Sequence, residues 1–244
     1  MNRIKIEFGY DGRDFCGFQS LKGKRTVQGT LEEALSKLLN EEIKIIASGR
    51  TDAGVSAFCQ VAHFDTNSTI IATNICYAVN KLLPKDLQVF SSKNVSPNFH
   101  ARFSAKSKTY KYMIYHSKHI NPIYENFMYR SEKSLNLEDM INASKLLIGK
   151  NNFKAFATFD PNVKSFEIEI KSIKIEEKEN IYSFVINGNS FLYNMVRIIV
   201  GTLLEVGMGK IKPEKIKDIL KSKERKNAGR LLPANGLSLI NVFY

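Results

Sequence analysis

Apolar and polar positions alternate from the start of the chain: Ile4, Ile6 and Phe8 are interleaved with Arg3, Lys5 and Glu7, the period-two pattern of a half-buried strand. Gly9-Tyr10-Asp11-Gly12 then predicts a turn, followed by a loop carrying Phe15, Phe18 and Gln19. Thr30 and Glu33 have the spacing of a capping box, near the start of a helix in which Leu31, Ala34, Leu35, Leu38 and Leu39 share a face. Strands are expected over 43–48 and 59–65, a helix over 70–82, and a strand from Leu87 to Ser91. Near Ala105 the pattern starts again, with an aromatic strand over 108–116, a helix over 137–148 and strands over 166–175 and 181–187. A helix from about Ser190 to Val206, a short helix opened by Pro213 and a closing strand over 237–243 complete it. Strand–helix–strand–strand order recurs in both halves without a residue-level repeat. The expected fold is therefore α+β: two similar ferredoxin- or RRM-like lobes, 1–104 and 105–244, sharing a mixed, mainly antiparallel sheet with helices packed on it. A central cleft between the lobes would take a large ligand.

The 244 residues are enough to bury a core without staples, roughly 70–75% of the unfolded surface for a chain of this size. Charge changes the picture. Thirty-six Lys and Arg against 24 Asp and Glu leave a net +12, which favours a polyanionic partner, and nucleic acid is the commonest. The three cysteines (Cys16, Cys59, Cys76) are scattered and read as free thiols of a reducing cytoplasm. The four histidines have no metal-ligand spacing, so no metal is expected. The first residues read as a strand and not as a signal peptide, and the longest apolar run, Ile198 to Leu204, is too short to span a bilayer.

Candidate chemistry concentrates at Gly49-Arg50-Thr51-Asp52-Ala53-Gly54-Val55-Ser56. The two glycines permit unusual backbone and close ligand approach, and Arg50 supplies positive charge that favours an ionised Asp52. The same segment also suits a plain turn with an Asp bonded to its own backbone. In the helix expected over 190–206, apolar residues occupy nearly every face, so the helix is buried, yet Arg197 lies in its middle. A buried arginine needs a carboxylate, and none lies one turn away; Asp52 is the natural candidate, with snorkelling or carbonyl contacts as the alternative. In Lys106-x-Lys108-Thr-Tyr110-Lys111-Tyr112 the tyrosines could stack bases while the lysines hold phosphates. Alternating Tyr110, Tyr112 and Ile114 equally form a core face, and at least one tyrosine is expected in the core.

Taken together these segments resemble the TruA family of tRNA pseudouridine synthases, essentially end to end. The resemblance runs from Phe8-Gly-Tyr10-Asp11-Gly12 and Phe15-Cys-Gly17-Phe18-Gln19 through Thr26-Val27-Gln28 to the Gly49–Val55 signature. It continues in Phe99-His100-Ala101-Arg102-Phe103-Ser104-Ala105, Lys108-Thr109-Tyr110, Phe191-Leu192-Tyr193-Asn194-Met195-Val196-Arg197 and Leu232-Pro233-Ala234-Asn235-Gly236-Leu237. Ser56 and Asn194 depart from the pattern, standing where the family commonly has histidine.

The resemblance implies an isomerase that turns uridine into pseudouridine at positions 38 to 40 of the tRNA anticodon arm, as a cytoplasmic homodimer without cofactor. Asp52 falls on the catalytic aspartate, either attacking C1′ or removing a ribose proton. Arg197 would pair with Asp52, Tyr110 would stack on the extruded uracil, and Arg50 would meet phosphate or the displaced strand. Two rival readings remain: a non-catalytic RRM-like RNA-binding protein, and an N-glycosidase, which commonly needs two flanking carboxylates.

Overall fold

The structure, a computed structural model, describes residues 1–161 and 163–244. In chain order the elements are β1 (Asn2–Tyr10), α1 (Val27–Leu39), β2 (Ile46–Ala47), β3 (Ser56–Thr66), α2 (Ala72–Asn80), β4 (Leu87–Asn94) and β5 (Ser107–His116). They continue with β6 (Tyr129–Ser131), α3 (Leu137–Lys145), β7 (Gly149–Asn152), β8 (Glu167–Lys178), β9 (Ile181–Gly188), α4 (Met195–Gly207), α5 (Lys215–Ser222) and β10 (Leu237–Phe243). The chain is α+β, and it divides into two compact units, Met1–Lys106 with Ser238–Tyr244, and Ser107–Leu237. The division falls two residues beyond 104/105, and the closing strand packs with the first unit.

In the first unit β1 lies between two antiparallel partners. Ile4, Ile6 and Phe8 face Phe64, Ala62 and Gln60 of β3, while Ile6 and Phe8 face Ser92 and Val89 of β4. Directly opposed residues share a face, so these side chains form one buried layer, and α1 (Val27, Leu31, Leu35) and α2 (Ile75, Val79) contribute the rest of the core. β10 returns parallel to β3, with Ser238 opposite Ser56 and Leu239 opposite Ala57.

Two local expectations are corrected here. The cap of α1 is Thr26 and not Thr30: the Thr26 hydroxyl accepts from the Gly29 amide at 3.2 Å, which starts the helix a turn earlier and buries Val27. The strand expected over 43–48 shrinks to Ile46–Ala47. Ile43 and Ile45 are buried, but their amides donate to Ser36 Oγ (2.9 Å) and Glu32 Oε1 (3.0 Å) of α1, so helix side chains replace a strand ladder.

In the second unit β5 pairs antiparallel with β9 (Tyr110 opposite Ile186, Tyr112 opposite Phe184), and β9 with β8, β8 with β7. The short β6 runs parallel to β5, with Ile114 opposite Tyr129. Neither β6 nor β7 shows an apolar alternation, and neither was expected. The helix expected from Ser190 begins only at Met195, because Asn194 takes a left-handed conformation (φ 62°) that interrupts the helical backbone. From Met195 to Gly207 it is buried on nearly every face. Gly201 makes that burial possible: a Cβ there would lie 2.0 Å from the Arg230 carbonyl oxygen. Among the described residues no helix is long and apolar enough to cross a membrane.

Gly201→Ala tests this close approach. Alanine favours a helix by about 1 kcal/mol, whereas overpacking against backbone costs typically 1–3 kcal/mol or more. The variant is expected to unfold at lower urea concentration than the wild type, and a midpoint at or above the wild-type value would contradict the packing described.

Candidate active site

The loop carrying Asp52 is held from its backbone. It leaves β2 through Ser48, which is fully buried: the Ser48 amide donates to the Val61 carbonyl at 2.8 Å and its hydroxyl to Gln60 Oε1 at 2.6 Å. Gln60 is itself buried, and its Nε2 donates to the Gly49 carbonyl at 3.1 Å. Thr51 is buried beside Tyr10, whose phenol oxygen lies 2.8 Å from Thr51 Oγ1. The Thr51 carbonyl accepts from the Phe18 amide at 3.1 Å. After Asp52 the chain turns sharply: the Val55 amide donates to the Asp52 carbonyl at 3.1 Å, Gly54 adopts φ +80°, and Val55 is buried.

The entry segment lets the loop come this close. A Cβ on Gly12 would lie 2.1 Å from the Val55 carbonyl oxygen, and Gly17 (φ +89°) abuts the backbone of Thr51, Asp52 and Ala53. The Gly17 carbonyl accepts from the Val27 amide at 3.2 Å, which ties the same segment to the first residue of α1. Asp52 is half-buried and Arg50 is exposed. Ser56, the first of the two departures, uses its hydroxyl to accept from the Gly12 amide at 3.0 Å.

The other two predicted residues sit in the second unit. Tyr110 is nearly buried, 8% exposed, with its ring edge-on to Phe191 at 4.9 Å. Tyr112 is wholly buried and donates its hydroxyl to the Pro233 carbonyl at 2.8 Å, so both tyrosines lie largely within the fold. Burial pushes the Tyr112 phenol well above its usual range, which makes it a permanent donor. Arg197 lies in the first turn of α4, not its middle. Its Nε donates to the Leu232 carbonyl at 2.7 Å and its Nη1 to Asn194 Oδ1 at 2.7 Å.

Sequence reasoning missed Thr158, Phe191 as a ring partner, and the carbonyls of Leu232 and Pro233. Backbone acceptors leave no mark on residue type, so only the resemblance of the Leu232–Leu237 segment pointed there. Among the described residues no group of three or more His, Cys, Asp or Glu could hold a metal ion. Arg50, Asp52, Tyr110 and Arg197 bring the groups that ribose and base chemistry on an anionic polymer requires: a carboxylate, cations and an aromatic ring.

A family profile described as tRNA pseudouridine synthase matches residues 8–104 and 143–244. The tRNA pseudouridine synthase A of Acetivibrio thermocellus is 41% identical over 244 residues, covering 100% of both chains. The protein of that name in Bacillus subtilis is 43% identical over 244 residues, 99% of each chain. The crystal structure of an archaeal box H/ACA sRNP Nop10–Cbf5 complex matches 93% of this chain and 60% of that chain, with a TM-score of 0.39 and 13% identity.

Tyr10 gives the loop a titratable reporter. Burial pushes its phenol up from the ordinary 10.0 to about 12, against the opposing hydrogen bonds of Thr51 and Gln60. The folded state therefore holds a proton that the unfolded chain releases above pH 10, so stability is present below that pH and falls as pH rises towards 12. Tyr10→Phe is expected to flatten part of this alkaline loss in urea midpoints measured across that window. An unchanged slope would mean that Tyr10 is not the buried phenol described.

Proposed function

Because the chain belongs to the tRNA pseudouridine synthase family, we propose that it isomerises uridine to pseudouridine at positions 38 to 40 of the tRNA anticodon arm, with Asp52 as catalytic carboxylate. The observation that carries this reading is identity over the whole length of the chain with proteins of that one name. A non-catalytic RRM-like binding protein, the rival expectation, has no counterpart in those full-length matches. The rigid backbone around a half-buried Asp52 supports the assignment of the carboxylate, because a group that must meet one ribose carbon gains from being held in place.

The reaction breaks the bond from ribose C1′ to uracil N1, turns the base, and forms C1′–C5; C5 loses its hydrogen and N1 gains a proton. Nothing is oxidised or reduced, so the balance calls for no redox partner. In this reading Asp52 acts at the ribose, by attack on C1′ or by removal of a ribose proton. Arg197 favours the charged form of Asp52, and Tyr110 offers its ring to the uracil once the base leaves the stack, a step that costs a few kcal/mol. Arg50, exposed beside Asp52 in sequence, meets the RNA backbone. Phosphate contacts drawn from a net charge of +12 offset the cost of extrusion. The same reading makes the protein a homodimer of the cytoplasm; support for the compartment comes from three cysteines that are all free thiols.

Tritium release from an unmodified tRNA transcript carrying [5-³H]uridine, with chelator present, reads the C5 step directly. Wild type is expected to release tritium, and Asp52→Asn, which keeps shape and loses charge, to slow release by at least about 100-fold, the low end of what such groups contribute. Free uracil among the products would point to the glycosidase. Release by Asp52→Asn at the wild-type rate would remove Asp52 from the chemistry.

A further inference from the structure

Asn194 is the second residue at which this chain departs from the family pattern, and its surroundings give it a task. Its backbone is left-handed (φ 62°, ψ 6°), a conformation that asparagine tolerates better than most residues. Its carbonyl accepts from the Ile198 amide at 3.0 Å, so it opens α4, and Arg197 follows three positions later on the same face. Arginine only donates, so the amide of Asn194 must turn its oxygen to the guanidinium, as it does at 2.7 Å from Nη1. Its Nδ2 is then directed away, and donates to Thr158 Oγ1 at 2.9 Å. Thr158 in turn is fixed by its own amide, which donates to the Tyr193 carbonyl at 3.1 Å.

The second hold on Arg197 is the bond from Nε to the carbonyl of Leu232, a wholly buried residue. Bonds from Nε and from Nη1 to two different acceptors define the plane of the guanidinium. With the Leu232 bond alone, the group can swing about that single contact.

We propose that Asn194 is a positioning residue for the synthase reaction, its side-chain amide, braced by Thr158, setting the plane of the Arg197 guanidinium. The proposal rests on the reading that Arg197 serves the Asp52 chemistry. A histidine in this place offers one ring nitrogen to each side. The asparagine does the same work with an amide whose acceptor and donor ends are distinct, so its orientation does not depend on protonation.

The test uses the full chain and steady-state tritium release from tRNA. Asn194→Gly keeps a backbone at home with positive φ and deletes only the amide, and Thr158→Val removes only the brace. Asn194→Gly is expected to lower kcat roughly 10- to 100-fold, the range for a hydrogen bond to a charged group, with KM for tRNA little changed. Thr158→Val should lower kcat less. In an Arg197→Lys background, already impaired, Asn194→Gly should cause no further loss, because both changes remove the same arrangement. Wild-type kcat in Asn194→Gly beside an impaired Arg197→Lys would overturn the positioning role and leave the family reading intact. A loss that multiplies with that of Arg197→Lys would overturn it too, marking Asn194 as merely structural. Full activity of Arg197→Lys would instead remove the premise about Arg197.

Discussion

Close approach of backbone to backbone is the constraint on which the Asp52 loop depends. The carbonyl of Val55 occupies the space that a side chain on Gly12 would take, and Gly17 gives the same access to Thr51, Asp52 and Ala53. Buried polar groups then fix the approach: Tyr10 on Thr51, Gln60 on Gly49 and Ser48. Each satisfies a group that would otherwise cost about 1–3 kcal/mol to bury unpaired. The loop is therefore rigid for reasons that lie outside Asp52 itself, and the carboxylate inherits its position.

The second unit holds its polar residues by a different device. An unusually apolar helix begins with an arginine in its first turn, and the cost of placing a cation there is offset by acceptors drawn from either side of it in sequence: Asn194 and the carbonyl of Leu232. Tyr112, one pleat from Tyr110, anchors β5 to the neighbouring carbonyl of Pro233. The Leu232–Leu237 segment thus supplies adjacent carbonyls to a helix and a strand.

Much of this was legible in the chain. Alternation marked β1, β5, β8 and β9, and the all-round apolar surface of residues 195–206 marked a buried helix, because both signals reflect side-chain burial. What burial does not encode was lost. The start of α4 turns on the backbone of one asparagine, the start of α1 on which of two threonines caps it, and β2 on helix side chains that take over the amides of Ile43 and Ile45. The candidate residues were visible as types in unusual settings: a carboxylate between glycines, an arginine among aliphatics, a tyrosine among lysines. Their supports were not, since Leu232 and Pro233 act through carbonyls that every residue possesses. The same holds for the closing strand, whose apolar pattern says that it is buried but not which unit it joins.

The Leu232–Leu237 segment has a further consequence for how such a chain can vary. Its work is done by main-chain oxygens at two successive positions, and by Gly236, where a side chain would lie 2.7 Å from the Tyr112 ring. The identity of the residue at position 233 therefore matters less than the path of the chain through it. Insertion or deletion of a single residue between 232 and 236 would slide both carbonyls out of register together, detaching a helix and a strand in one event. Length, more than composition, is the heritable property of this segment.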